Sequence, residues 1–156
     1  MTRRVSSLRA LALLISLPAA AALHAASPTD TFAASRPLHD VAAVKLALGA
    51  GQRVSATVDL SLCQPANGGT PSQTQGGLVV SPYRIQGDGT LSFSDSHFTV
   101  SNAGKPITQF LRYTVRPDSS ITVTSYIFSM PDLAPLSEVA FECRLGNGVS
   151  FLTSWH

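Results

Sequence analysis

Ser94-Asp95-Ser96-His97 holds every residue type of a serine-hydrolase triad. Nucleophilic catalysis of that kind needs a hydroxyl beside an imidazole, and a carboxylate that orients the imidazole. On a strand, Asp95 and His97 share one face while the two serines point to the other. No G-x-S-x-G elbow occurs in the chain, so nothing presents a serine as nucleophile. The plainer reading is a polar turn between two strands, and no catalytic residue is assigned.

Other constellations are weaker. Beyond residue 25 the histidines are His39, His97 and His156. They form no H-x-H or H-E-x-x-H pattern, and no C-x-x-C occurs, so no metal site is assigned. His39-Asp40 suits the first turn of a helix, where Asp40 meets the positive end of the dipole. Asp59 and Glu142 would do glycosidase chemistry only if they faced one cleft; the plainer reading is two solvated acids. Arg84, Arg112 and Arg116 with Tyr83, Tyr113 and Tyr126 could line a ligand-facing patch, but alternation lets only one of Arg112 and Tyr113 do so. Packing at the core and rim of a β domain accounts for them as well, and binding residues stay unassigned. The glycines at 76, 77, 87, 89, 146 and 148 make no phosphate loop, and no cofactor is expected.

Cys63 and Cys143 are the two cysteines. In an exported chain an even count reads as a disulfide. Export is expected from the first 25 residues. Arg3, Arg4 and Arg9 precede an apolar run from Leu8 to Leu17, then Pro18, then Ala19 to Ala22. That is the layout of a secretory signal peptide over residues 1–25, with cleavage within a few residues of Ala26. The apolar run falls short of the ~20 residues that span a membrane. Three of the 11 basic residues and none of the 9 acidic ones lie in that segment. The remaining chain is therefore close to neutral, which excludes a polybasic nucleic-acid binder.

The elements that must position these residues follow from periodicity. Residues 26–36 read as a flexible segment rich in Ala, Ser, Pro and Thr. Pro37 and the 3–4 spacing of Leu38, Val41, Ala42, Lys45 and Leu46 predict a helix over 37–48, capped by Ser35. From Val54 the period becomes two, and Val54, Ala56, Val58 and Leu60 predict a strand. Pro65 to Gly77 reads as an exposed loop. Further strands are predicted at Leu78–Ile85, Thr90–Phe93, His97–Val100, Ile107–Val115 and Ile121–Ile127. Pro131 to Pro135 interrupts, and Val139–Leu145 then pairs with Val149–Thr153 across Gly146-Asn147-Gly148. The expected fold is mainly β, an antiparallel meander of seven or eight strands closing into a small barrel or sandwich, with one N-terminal helix, in a single domain over 37–156.

In order and spacing, "VDLSLC", "GGLVVSPYRIQGDGTLSFSDSHFTV", "GKPITQFLRYTVRPD" and "FECRLGNGVSF" resemble the VirK family of small exported bacterial proteins. The likeness covers about residues 38–152. The resemblance implies secretion and a host-interaction or virulence setting, and it carries over no catalytic residue. The expected function is that of an exported, periplasmic or secreted, non-enzymatic binding or accessory protein. Its partner would be an unidentified protein or small molecule, with no nucleic acid and no stable membrane insertion. The alternative is a small periplasmic hydrolase using Asp95 and His97 or other acidic residues. A membrane barrel fits poorly, because the aromatic share is 7% and several predicted strands are short.

Overall fold

Val54, Ala56 and Val58 are buried while their neighbours face outward, and the same two-residue beat runs through most of the chain beyond Gly51. The computed structural model describes residues 35–154. Its elements are β1 (Ser35–Leu38), α1 (Val41–Gly49), β2 (Arg53–Asp59), β3 (Gln64–Pro65), β4 (Gln75–Val79) and β5 (Tyr83–Ile85). They continue with β6 (Leu91–Val100), β7 (Pro106–Val115), β8 (Ser120–Ser129), β9 (Pro135–Leu145) and β10 (Gly148–Ser154). The expected signal peptide over 1–25, most of the segment over 26–36, and His156 lie outside the described residues.

The fold is mainly β with one helix, as the periodicity implies. The strands form one sheet in the order β4-β2-β10-β9-β8-β7-β6-β5, with β1 beside β10 and β3 beside β9. The two ends of that path, β4 and β5, are separated by only three residues, Val80 to Pro82. Val80 N–H still donates to Val54 O on β2 at 2.9 Å, and Tyr83 already pairs with Phe93 on β6. One run of chain thus passes from one end of the sheet to the other, and the sheet must curl into a half-barrel. Phe93 stacks on Tyr113 at 4.7 Å inside the curl and meets Phe151 edge-on at 6.0 Å. Leu91, Val115, Ile121, Val123 and Val149 complete this core with 1% exposure or less, each contributing roughly 1.5–3 kcal/mol by burial.

The helix begins later than its 3–4 spacing predicts. Asp40, not Ser35, caps it, accepting from Ala43 N–H at 2.7 Å. Val41, Val44, Ala47 and Leu48 form its buried face. Ser35 to Leu38 instead pair with Ser154 to Phe151 of β10. Pro37 is tolerated there because a strand on a sheet edge needs no second ladder of donors. Tyr83 O–H donates to Leu48 O at 3.1 Å and Lys45 Nζ donates to Gly89 O at 3.2 Å, which ties α1 to β5 and the β5–β6 turn.

Four further expectations are corrected. Ser94-Asp95-Ser96-His97 is no turn; it is the middle of β6, paired without a break to β7. Leu78–Ile85 is two strands, because the chain changes partner at Val80 to Pro82. The loop expected over 65–77 contributes Pro65 to β3, opposite Phe141, and Gln75 to Gly77 to β4, opposite Asp59 to Thr57. Val149–Thr153 does not fold back as a hairpin on Val139–Leu145. Gly146 and Gly148 adopt φ of 81° and 91°, and the chain carries on in the same direction. It touches β9 over two parallel residue pairs and runs antiparallel to β2 instead.

Cys63 and Cys143 are bonded, with Cα atoms 4.6 Å apart. The bond joins the short turn at Leu60–Leu62 to β9. A Cβ on Gly148 would sit 2.4 Å from Cys63 Sγ, so both φ and space require glycine there.

Candidate functional site

Because β6 is continuous, Asp95 and His97 fall on its inward face together with Leu91 and Phe93. Register extends that face into rows across the sheet. Phe93 lies opposite Tyr113, Tyr113 opposite Val123, and Val123 opposite Phe141. The next row is Asp95, Leu111, Ser125 and Val139, and the one after begins His97, Gln109 and Ile127. Tyr113, Val123 and Phe141 of the first row floor a cavity of about 510 Å³, and the second row with His97 and Gln109 of the third forms one wall. Val58, Leu60 and Gln75 to Gly77 form the facing wall. The size falls within the range of small-ligand sites, and the pattern of apolar floor with a few polar groups is the usual one.

The polar groups of this cavity differ in how well they are satisfied. Gln109 Nε2 donates to Ser125 Oγ at 2.9 Å. Burial, with the nearby Asp95 carboxylate adding to it, pushes the Tyr113 phenol up to about 12. Asp95 makes no hydrogen bond or ion pair among the described residues, and none joins it to His97. Ser125 lies two strands from His97 and in a different row, and its Oγ accepts from Gln109 rather than meeting the imidazole. Ser125, His97 and Asp95 therefore share one cavity, but not the hydrogen-bonded chain of a triad.

The remaining candidates disperse. Asp59 accepts from Ser61 N–H and O–H and from Gln75 Nε2, and the Ser61 hydroxyl foremost holds its carboxyl below the usual range. Glu142 accepts from Thr122 Oγ1 at 3.1 Å on the outer face. The two acids thus take separate partners. Arg112 points outward with Arg84 beside a shallow groove that Tyr83 also borders, whereas Tyr113 points inward. Arg116 Nη1 donates to Thr122 Oγ1 at 3.0 Å. Tyr126 sits outside, 6.1 Å from Phe110 and 6.5 Å from Phe128. His39 is exposed. Among the described residues no cluster of His, Cys, Asp and Glu could hold a metal ion, and no helix is long and apolar enough to cross a membrane.

Leu111, Ser125, Val139 and Gln109 were not singled out by sequence. Their own periodicity marks them as facing Asp95 and His97, but only once the register of three strands is known.

A mainly β half-barrel with a disulfide-anchored wall and an open inner cavity is the class of protein that these features define. A family model described as VirK protein matches residues 37–133, and the chain belongs to the VirK family. Uncharacterized protein y4wH of Sinorhizobium fredii is 44% identical over 110 residues, 69% of this chain and 76% of that protein. An uncharacterized protein from the pinF2 3' region of Rhizobium radiobacter is 46% identical over the same shares. The crystal structure of a VirK family protein from Legionella pneumophila has a TM-score of 0.66 at 17% identity. It covers 74% of this chain and 97% of that one, a likeness of fold.

Proposed function

We propose that this chain is an exported, non-enzymatic binding or accessory protein whose ligand occupies the half-barrel cavity. One observation carries the reading: a cavity of about 510 Å³ whose floor is apolar and whose wall holds a carboxylate with no partner among the described residues, an imidazole, an amide and a hydroxyl. Such convergence suits recognition. The residues at 1–25 have the composition of a signal peptide, and the Cys63–Cys143 bond suits an oxidising compartment. Family membership and the resemblance to exported proteins fit a role in host interaction.

A hydrolase is the second reading, favoured by the meeting of Asp95, His97 and Ser125 in one cavity. Among the described residues the His97 side chain bonds to neither Asp95 nor Ser125, and Ser125 Oγ accepts from Gln109 instead, which speaks against it. The test is titration of the mature chain with the neutral apolar dye N-phenyl-1-naphthylamine. Fluorescence should rise on binding, vanish in Leu111→Trp, which fills the cavity, and persist in His97→Ala. Dye binding that ignores Leu111→Trp overturns the cavity reading. Ester or amide turnover abolished by His97→Ala overturns the non-enzymatic one.

A further inference from the structure

β6 is paired along both edges at its start and along one edge beyond it. β5 covers only Leu91 to Phe93 of β6. The edge of β6 from Ser94 to Val100 that faces away from β7 has no ladder partner among the described residues. Thr90 O accepts from Gln86 N–H on the β5 side. Alternation then turns the backbone N–H and C=O of Ser94, Ser96 and Phe98 toward the open side. Across the cavity mouth, Thr74 O and Val80 N–H of the β4 run bond toward β2. The same alternation leaves the backbone groups of Gln75, Gly77 and Val79 facing the gap. Among the described residues two unpaired strand edges therefore flank one opening, and Asp95 and His97 lie just inside it.

Exposed edges are normally blunted by Lys, Pro, a bulge or a covering loop. Ser94 to Val100 carries no Lys or Pro, its one Asp or Glu side chain, Asp95, points into the cavity, its register with β7 is unbroken, and Phe98 and Val100 are 66% and 61% exposed. Gly76 and Gly77 leave the middle of the opposite edge without side chains. A row of bare backbone donors and acceptors is matched by another extended backbone and by little else.

We infer that the ligand is an extended segment of a partner polypeptide, which adds antiparallel to β6 and fills the gap before β4. This rests on the cavity being the ligand site. Seven residues of open edge span about 23 Å. Alternate side chains of the segment would enter the cavity. There they meet Leu60, Leu111 and Val139, which select apolar groups, and the Asp95 carboxylate, which selects a Lys or Arg at one inward position.

The test is selection of a displayed random dodecapeptide library against the mature chain. Enriched peptides should alternate apolar residues with one basic residue in phase. Binding of the synthetic peptide should weaken at least about tenfold when its edge-facing amides are N-methylated, and little when the intervening ones are. Asp95→Asn should remove the preference for the basic residue while leaving the N-methyl effect intact. The amide hydrogens of Ser94, Ser96 and Phe98 should exchange freely without peptide and be protected with it. The inference is overturned if no sequence is enriched, if N-methylation has no effect, if those amides stay unprotected, or if the chain dimerises through β6. Retained dye binding in the same preparation then shows that the cavity reading stands while the strand reading falls.

Discussion

Removing the Cys63–Cys143 bond by replacing both residues with Ala should destabilise the protein heavily. The bond closes a loop with a sequence separation of 80. The chain-entropy model gives about 4.5 kcal/mol for freeing a loop of that length in the unfolded state. Cys63 and Cys143 are 1% and 4% exposed, so losing two sulfur atoms also opens small voids, about 1 kcal/mol more. The cross-link carries this weight because the ladder around it is short. β3 pairs with β9 through two residues, and β10 does the same. Urea unfolding followed by far-ultraviolet circular dichroism measures the effect. With a slope of about 2 kcal/mol/M the midpoint should fall by roughly 2–3 M. A fall worth less than about 1 kcal/mol would refute the entropic argument, and reaction of native thiols with a thiol reagent would refute the bond.

Three other outcomes are expected. Gly77→Ala should destabilise by about 1–3 kcal/mol in the same assay, because its Cβ would lie 2.9 Å from the Ala56 carbonyl oxygen; a neutral result would mean that β4 holds its place against β2 loosely. Tyr113 keeps its proton in the folded state up to about 12, above the ~10 of an unfolded chain. The unfolded state therefore releases a proton first, and stability should be unaffected by this group below pH ~10 and decline as pH rises through 10–12. Tyr113→Phe should flatten that decline, and an unchanged slope would count against it. Intact mass of the protein from a periplasmic extract should correspond to a start within a few residues of Ala26, and a full-length mass would contradict export by cleavage.

Strand content, the helix and the cysteine pair were legible because each rests on a local signal: a period of two, a period near 3.6, and a residue type with one common use in oxidising surroundings. The site was not. Ser94-Asp95-Ser96-His97 reads as a turn because polar residues on successive positions normally mean solvent on both faces. Here one face is solvent and the other is a polar cavity wall, and sequence cannot tell the two apart. Pro37 and Leu38 read as helix because a helical spacing extends back to them. Pairing with β10 outweighed that weak local preference. The change of partner at Val80 to Pro82, which curls the sheet and makes the cavity, depends on contacts between β4 and β2 and between β5 and β6. No window of sequence contains them.

The central claim is that the inside of the half-barrel is where the partner sits. Site-specific photocrosslinking in the periplasm tests it most directly, with the photoreactive amino acid placed at Leu111 or Val139 inside the curl and at Arg116 or Thr124 outside. The account predicts one discrete adduct, shared by the two inward positions, absent from the outward ones and lost when excess selected peptide competes. Adducts from the outward positions alone, or equal yields from both faces, would contradict it.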